Sequence, residues 1–135
     1  MRRKPQIVVI SKKKMMDRLG GWGNSNVNAI TVGSRIYLTP KATKIDKEHE
    51  LAHYKLGHKN TGKINAYTYA RREVVAEKTA CDKLNRQFTN GYLNEVRKDI
   101  KSIWGKHTTD KKELDFRAKD AVNKAAKHYG INDSL

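Results

Sequence analysis

Internal disulfides are excluded for this chain, because its 135 residues include one cysteine, Cys81. A lone thiol suits a reducing compartment, and its place beside the inward stripe of a helical segment marks it as a packed structural residue rather than a nucleophile or metal ligand. Long hydrophobic runs are missing as well. Ile7 to Ile10, the longest clean run near the start, is too short for a signal peptide or a membrane span, so a cytoplasmic protein with no membrane partner is expected. No linker or internal repeat divides the chain. One domain over residues 1–135 is expected, with a β-rich part at 1–44, metal-site helices at 45–85 and a helical part at 86–135. Acidic residues are scarce: 14 Asp and Glu stand against 29 Lys and Arg, a net charge of +15 with a pI near 10.0. Such a field draws polyanions, so nonspecific association with DNA or RNA is expected. The basic residues are nevertheless spread along the chain, with a modest cluster at Arg2, Arg3, Lys4 and Lys12 to Lys14. No helix-turn-helix, zinc-finger or RNP pattern accompanies them, which favours a solvated basic surface over a dedicated nucleic-acid site.

What the sequence does contain is His49-Glu50-Leu51-Ala52-His53. On a helix, positions i and i+4 lie one above the other, so both imidazoles can reach one metal ion while Glu50 sits beside the remaining coordination positions. Neutral imidazole nitrogens are good zinc ligands, and a carboxylate that is not a ligand can take a proton from a water attacking a carbonyl. The helix is expected to start near Ile45, capped by Thr43 or Asp46 after Pro40, and to stop at Gly57. Ile45, Ala52 and Leu56 form its apolar stripe, with His49 at the margin, His53 one step round and Glu50 beyond.

A hydrolytic zinc site of this kind needs a third protein ligand. Gly57 and His58 miss the HExxHxxGxxH spacing, and on a continued helix His58 would point away from His53, so His58 is expected to be a surface or loop residue. The segment Glu73 to Leu84 offers an alternative. On a helical wheel Glu73, Glu77, Ala80 and Leu84 share a narrow sector flanked by Ala70, Ala76 and Cys81. Carboxylates on an inward apolar stripe need a cation or donor to compensate their burial, and a zinc ion on His49 and His53 would supply one. Glu73 is the expected third ligand. Glu77 is expected to orient a histidine by accepting its other ring proton, or to serve as ligand in place of Glu73.

The His49–His53 motif running into Leu56-Gly57-His58, followed by Glu73-x-x-Ala76, Ala80 and Leu84, resembles the ImmA/IrrE family of small zinc metallopeptidases of bacteria, bacteriophages and integrative elements. The resemblance covers roughly residues 28–85. It implies a minimal thermolysin-like zincin fold, zinc held by His49, His53 and Glu73, Glu50 as catalytic base, and cleavage of a regulatory protein, often a transcriptional repressor. The chain departs from the family pattern at Glu77, where Asn or Asp is common, and at Thr79, where Phe is common. It also lacks the Leu- and Met-rich stretch ending in proline that follows. These departures leave the metal residues intact and alter the expected substrate pocket.

Around the motif, Gln6 to Ile10 reads as a strand, Lys12 to Leu19 as a short basic helix and Gly20 to Asn28 as a loop. Ala29 to Val32 and Arg35 to Leu38 flank Gly33-Ser34, a hairpin signal with a type II′ or related turn. In thermolysin-like proteases an edge strand before the motif helix receives extended substrate, so this hairpin is the candidate for peptide addition. Leu93, Val96, Ile100, Ile103 and Trp104 mark one amphipathic helix. Leu114, Ala118, Ala121, Val122, Ala125 and Tyr129 mark another that ends at Gly130. The fold expected is α+β, a small antiparallel sheet packed on the two site helices with a helical C-terminal part. The function expected is a zinc-dependent metalloendopeptidase acting on a cytoplasmic regulatory protein such as a DNA-bound repressor; the alternative is a basic nucleic-acid-binding protein with a structural or vestigial zinc site. Tyr54, Tyr67, Tyr69 and His58 are near in sequence, but none can be assigned to stabilise an oxyanion.

Overall fold

The hairpin supplies the first piece of architecture. The computed structural model describes residues 4–19, 27–58, 64–105, 110–132 and 134–135. Within them, β2 (Ala29–Val32) and β3 (Arg35–Leu38) pair antiparallel from Ala29 with Leu38 to Val32 with Arg35. Gly33 at the turn has φ of 60° and Ser34 does not share the positive φ, which is the type II′ pattern expected of a two-residue loop opening on glycine. β1 (Gln6–Val9) then lies on the free side of β3, parallel to it, giving the order β1-β3-β2. The sheet is therefore mixed, which corrects the antiparallel sheet expected from the sequence. The physical reason is the route: β1 is joined to β3 through helix α1 (Lys12–Leu19) and the returning hairpin, long enough for the crossover a parallel pair requires. Residues 20–26 of the expected loop lie outside the described residues.

β3 is covered on both faces. Residues directly opposite in a ladder share a face, so Thr31 and Ile36 point together, as do Ile30 and Tyr37. Tyr37 lies under the Arg18 guanidinium of α1 at 4.1 Å, while Thr31 donates its hydroxyl to the Glu50 carbonyl of helix α2 (Lys44–Lys55) at 3.2 Å. Ile36 is fully buried and Tyr37 nearly so. α2 begins as the sequence indicates: Thr43 caps it, its hydroxyl accepting from the Asp46 amide while the Asp46 carboxylate accepts from the Thr43 amide.

Helix α3 (Ala66–Lys83) starts seven residues before Glu73, capped by Asn65, and has two working faces. Ala70 and Val74 enter the main apolar core with Leu93, Val96 and Ile100 of α4 (Asn90–Trp104) and Ala118, Ala121, Val122, Ala125 and Ala126 of α5 (Lys111–His128). Its other side packs on α2, where buried Ala76 and Ala80 allow close approach and Lys83 pairs with Glu48 at 2.8 Å. The described residues form an α+β structure of five helices and one three-stranded sheet, and no described helix is long and apolar enough to cross a membrane. Cys81 is buried, and burial raises its thiol pKa, which keeps it in the unreactive thiol form.

Candidate metal centre

Facing helices α2 and α3 bring four of the expected site residues together. His49 Nε2 lies 2.9 Å from Glu73 Oε2 and 2.9 Å from His53 Nε2, and His53 Nε2 lies 3.3 Å from both Glu73 oxygens. Three donor atoms on a tetrahedral zinc, at bond lengths of about 2.0–2.1 Å, stand about 3.3 Å apart. The triangle formed by His49 Nε2, His53 Nε2 and Glu73 therefore fits such an ion with little movement. Glu77 stands behind this triangle, its Oε1 3.0 Å from His49 Nδ1. Glu77 thus meets the ring nitrogen on the far side of His49, while Glu73 meets the nitrogen that faces His53.

The ring nitrogens and one Glu50 oxygen also lie within 4.8 Å of one another, so His49, Glu50 and His53 form a second three-donor set. The Glu73 set is tighter and draws its ligands from two helices, and we favour it for that reason. Glu50 Oε2 is buried and has no hydrogen-bond partner among the described residues. An unsatisfied buried carboxylate oxygen costs about 1–3 kcal/mol, and this one stands close to two imidazoles. On the sequence wheel Glu50 falls furthest from the apolar stripe, yet it is 9% exposed, because β2 packs along that side of α2. Leu56 departs in the other direction: it caps the helix end and is 48% exposed instead of completing the stripe.

Electrostatics follow from this crowding. Burial pulls the His49 pKa down, but the hydrogen bonds of Glu73 and Glu77, with the charges of Glu73 and Glu50, outweigh it and carry it up to about 10. Burial pushes Glu73 upward, and the adjacent histidines overcome this and hold it well below the usual carboxylate range. Glu50 has no such hydrogen bonds, so burial dominates and lifts it to about 7 despite His53 and His49. A base poised near neutrality is suited to proton transfer.

Two partners of the site were not legible in the sequence. Tyr92, from α4, places its hydroxyl 3.2 Å from both Glu73 Oε2 and the Glu73 carbonyl, with its ring edge-on to His49 at 5.8 Å. Its signal was faint: a polar-tipped aromatic beside the Leu93–Val96–Ile100 stripe. His58 lies in the loop, as expected, but it is half-buried and its ring is turned onto His53. Its Nδ1 is 2.8 Å from His53 Nδ1. Burial, then the charges of His53 and Arg72, lower its pKa to about 4. Of the tyrosines near in sequence, Tyr69 turns to Asp99 at 3.4 Å and Tyr67 lies beside Arg71.

No family model, curated protein or solved structure matches this chain.

Proposed function

We propose that the chain is a zinc-dependent metallopeptidase of the ImmA/IrrE kind, a minimal zincin acting in the cytoplasm on a regulatory protein such as a DNA-bound repressor. The observation that carries this reading is the convergence of His49 Nε2, His53 Nε2 and Glu73 from two helices onto one triangle, with an unpartnered buried Glu50 oxygen beside it. Zinc, when bound, supplies Lewis-acid polarisation of the scissile carbonyl and lowers the pKa of a nearby water.

The chain's own residues carry the remaining work. Glu77 fixes the His49 ring from behind, and the Tyr92 hydroxyl steadies the Glu73 carboxylate. Glu50 Oε2 accepts the proton of the attacking water and passes it to the leaving amine. β2 is an edge of the sheet and touches the Glu50 backbone through Thr31, which makes it the strand for adding an extended peptide substrate. The net charge of +15 favours encounter with a substrate already bound to DNA.

The test is proteolysis by wild type and by Glu50→Gln with zinc content measured alongside. Loss of cleavage with zinc retained supports the reading. Full cleavage by Glu50→Gln removes Glu50 from the mechanism.

A further inference from the structure

Every metal-facing imidazole has a second ring nitrogen whose partner decides which tautomer is present. For His49 that partner is Glu77. For His53 it is another histidine, supplied by the way α2 ends. Gly57, at φ of 73°, turns the chain back, and the amides of Gly57 and His58 donate to the carbonyls of Tyr54 and His53 at 3.2 and 3.0 Å. This is the Schellman arrangement, and it returns the residue after the glycine over the last helical turn. The His58 ring thereby meets His53 edge-on, centroids 5.1 Å apart, with Nδ1 facing Nδ1 at 2.8 Å.

Two imidazole nitrogens at that distance need one proton between them, so one donates and the other accepts. We propose that His58 is a positioning residue: its Nδ1 accepts the Nδ1–H of His53 and thereby presents the His53 Nε2 lone pair to the metal-binding triangle. The reverse assignment is self-defeating at this site. If His58 donated, neutral His53 would carry its proton on Nε2, which faces His49 Nε2 at 2.9 Å and Glu73 at 3.3 Å, and would have no lone pair there for a metal. His58 cannot replace a ligand, since it meets His53 on the nitrogen turned away from Glu73. Each histidine of the motif is thus held from behind, one by a carboxylate and one by a neutral ring. The second hold depends on the helix stop rather than on another helix.

This inference rests on the metal reading of the site, and the experiment separates the two. Zinc affinity is measured by chelator competition for wild type, His58→Ala and His58→Asn, with melting of the metal-free proteins as a folding control. Histidine nitrogen shifts are recorded by NMR on zinc-loaded wild type. His58→Ala should bind zinc about 10–100-fold more weakly. His58→Asn, whose Oδ1 can take the place of Nδ1 as acceptor, should return affinity towards wild type. The spectrum of the loaded wild type should show His53 protonated at Nδ1. Wild-type affinity in His58→Ala, failure of His58→Asn to recover a loss, or a His53 protonated at Nε2 would overturn the positioning role alone. Should either variant fail to fold, the wild-type spectrum decides. If wild type takes up no zinc, the metal reading falls and this inference with it.

Discussion

Replacing Glu50 by Gln separates what this residue costs the fold from what it gives the site. In the metal-free protein burial lifts its pKa from 4.5 to about 7, so the folded state binds more protons than the unfolded chain between those values. Stability contributed by this group is therefore complete below pH 4.5 and is lost as pH rises through 7. Holding this carboxylate charged inside the fold at pH 8 therefore costs about 3 kcal/mol. Gln keeps the shape and removes the charge. Metal-free Glu50→Gln should thus unfold at higher urea than wild type at pH 8, by about 1–3 kcal/mol, and the gap should close near pH 4. In the zinc-loaded protein the same substitution should lower cleavage about 100- to 10,000-fold, the usual contribution of a positioned general base. Urea titrations at the two pH values, with cleavage followed on a protein substrate, check both halves. A Gln variant that is no more stable at pH 8, or whose gain persists unchanged at pH 4, would refute the reasoning about burial.

Further outcomes follow from individual contacts. Glu77→Ala removes the acceptor on His49 Nδ1 and should weaken zinc binding about 10–100-fold in chelator competition, with the fold intact by circular dichroism. Leu93→Ala empties a fully buried position between α3, α4 and α5 and should cost about 2–5 kcal/mol in urea unfolding. Gly57→Ala forces a Cβ into the left-handed region at φ of 73° and should cost about 1 kcal/mol in the same assay.

Local chemistry explains which parts could be read in advance. Thr43 with Asp46, and Gly57 after Leu56, mark the two ends of α2 because capping and left-handed stops are properties of a few consecutive residues. The carboxylates of Glu73 and Glu77 stand out because helical periodicity places them on the apolar stripe that the structure turns toward α2. Leu93, Val96 and Ile100 of α4 and Leu114, Ala118 and Val122 of α5 are buried as their periodicity indicates. The parallel pairing of β1 with β3 joins segments that share no local pattern, so periodicity could not show it. Tyr92 reaches Glu73 from a different helix for the same reason. His58 is instructive in another way: a helical wheel extended past the glycine points it outward, whereas the Schellman turn brings it back onto His53. The early start of α3 at Ala66 rests on the Asn65 cap, and its first turn, Ala66 to Tyr69, packs Ala66, Tyr67 and Tyr69 on the main core.

Zinc content bears most directly on the central claim, because the mechanism, the role of Glu77 and the role of His58 all depend on the same triangle of donors. Elemental analysis of purified wild type should find one zinc per chain, and His49→Ala, which removes the nitrogen shared by both short edges of that triangle, should lose it. Wild type without zinc, or His49→Ala retaining a full equivalent, would contradict the account.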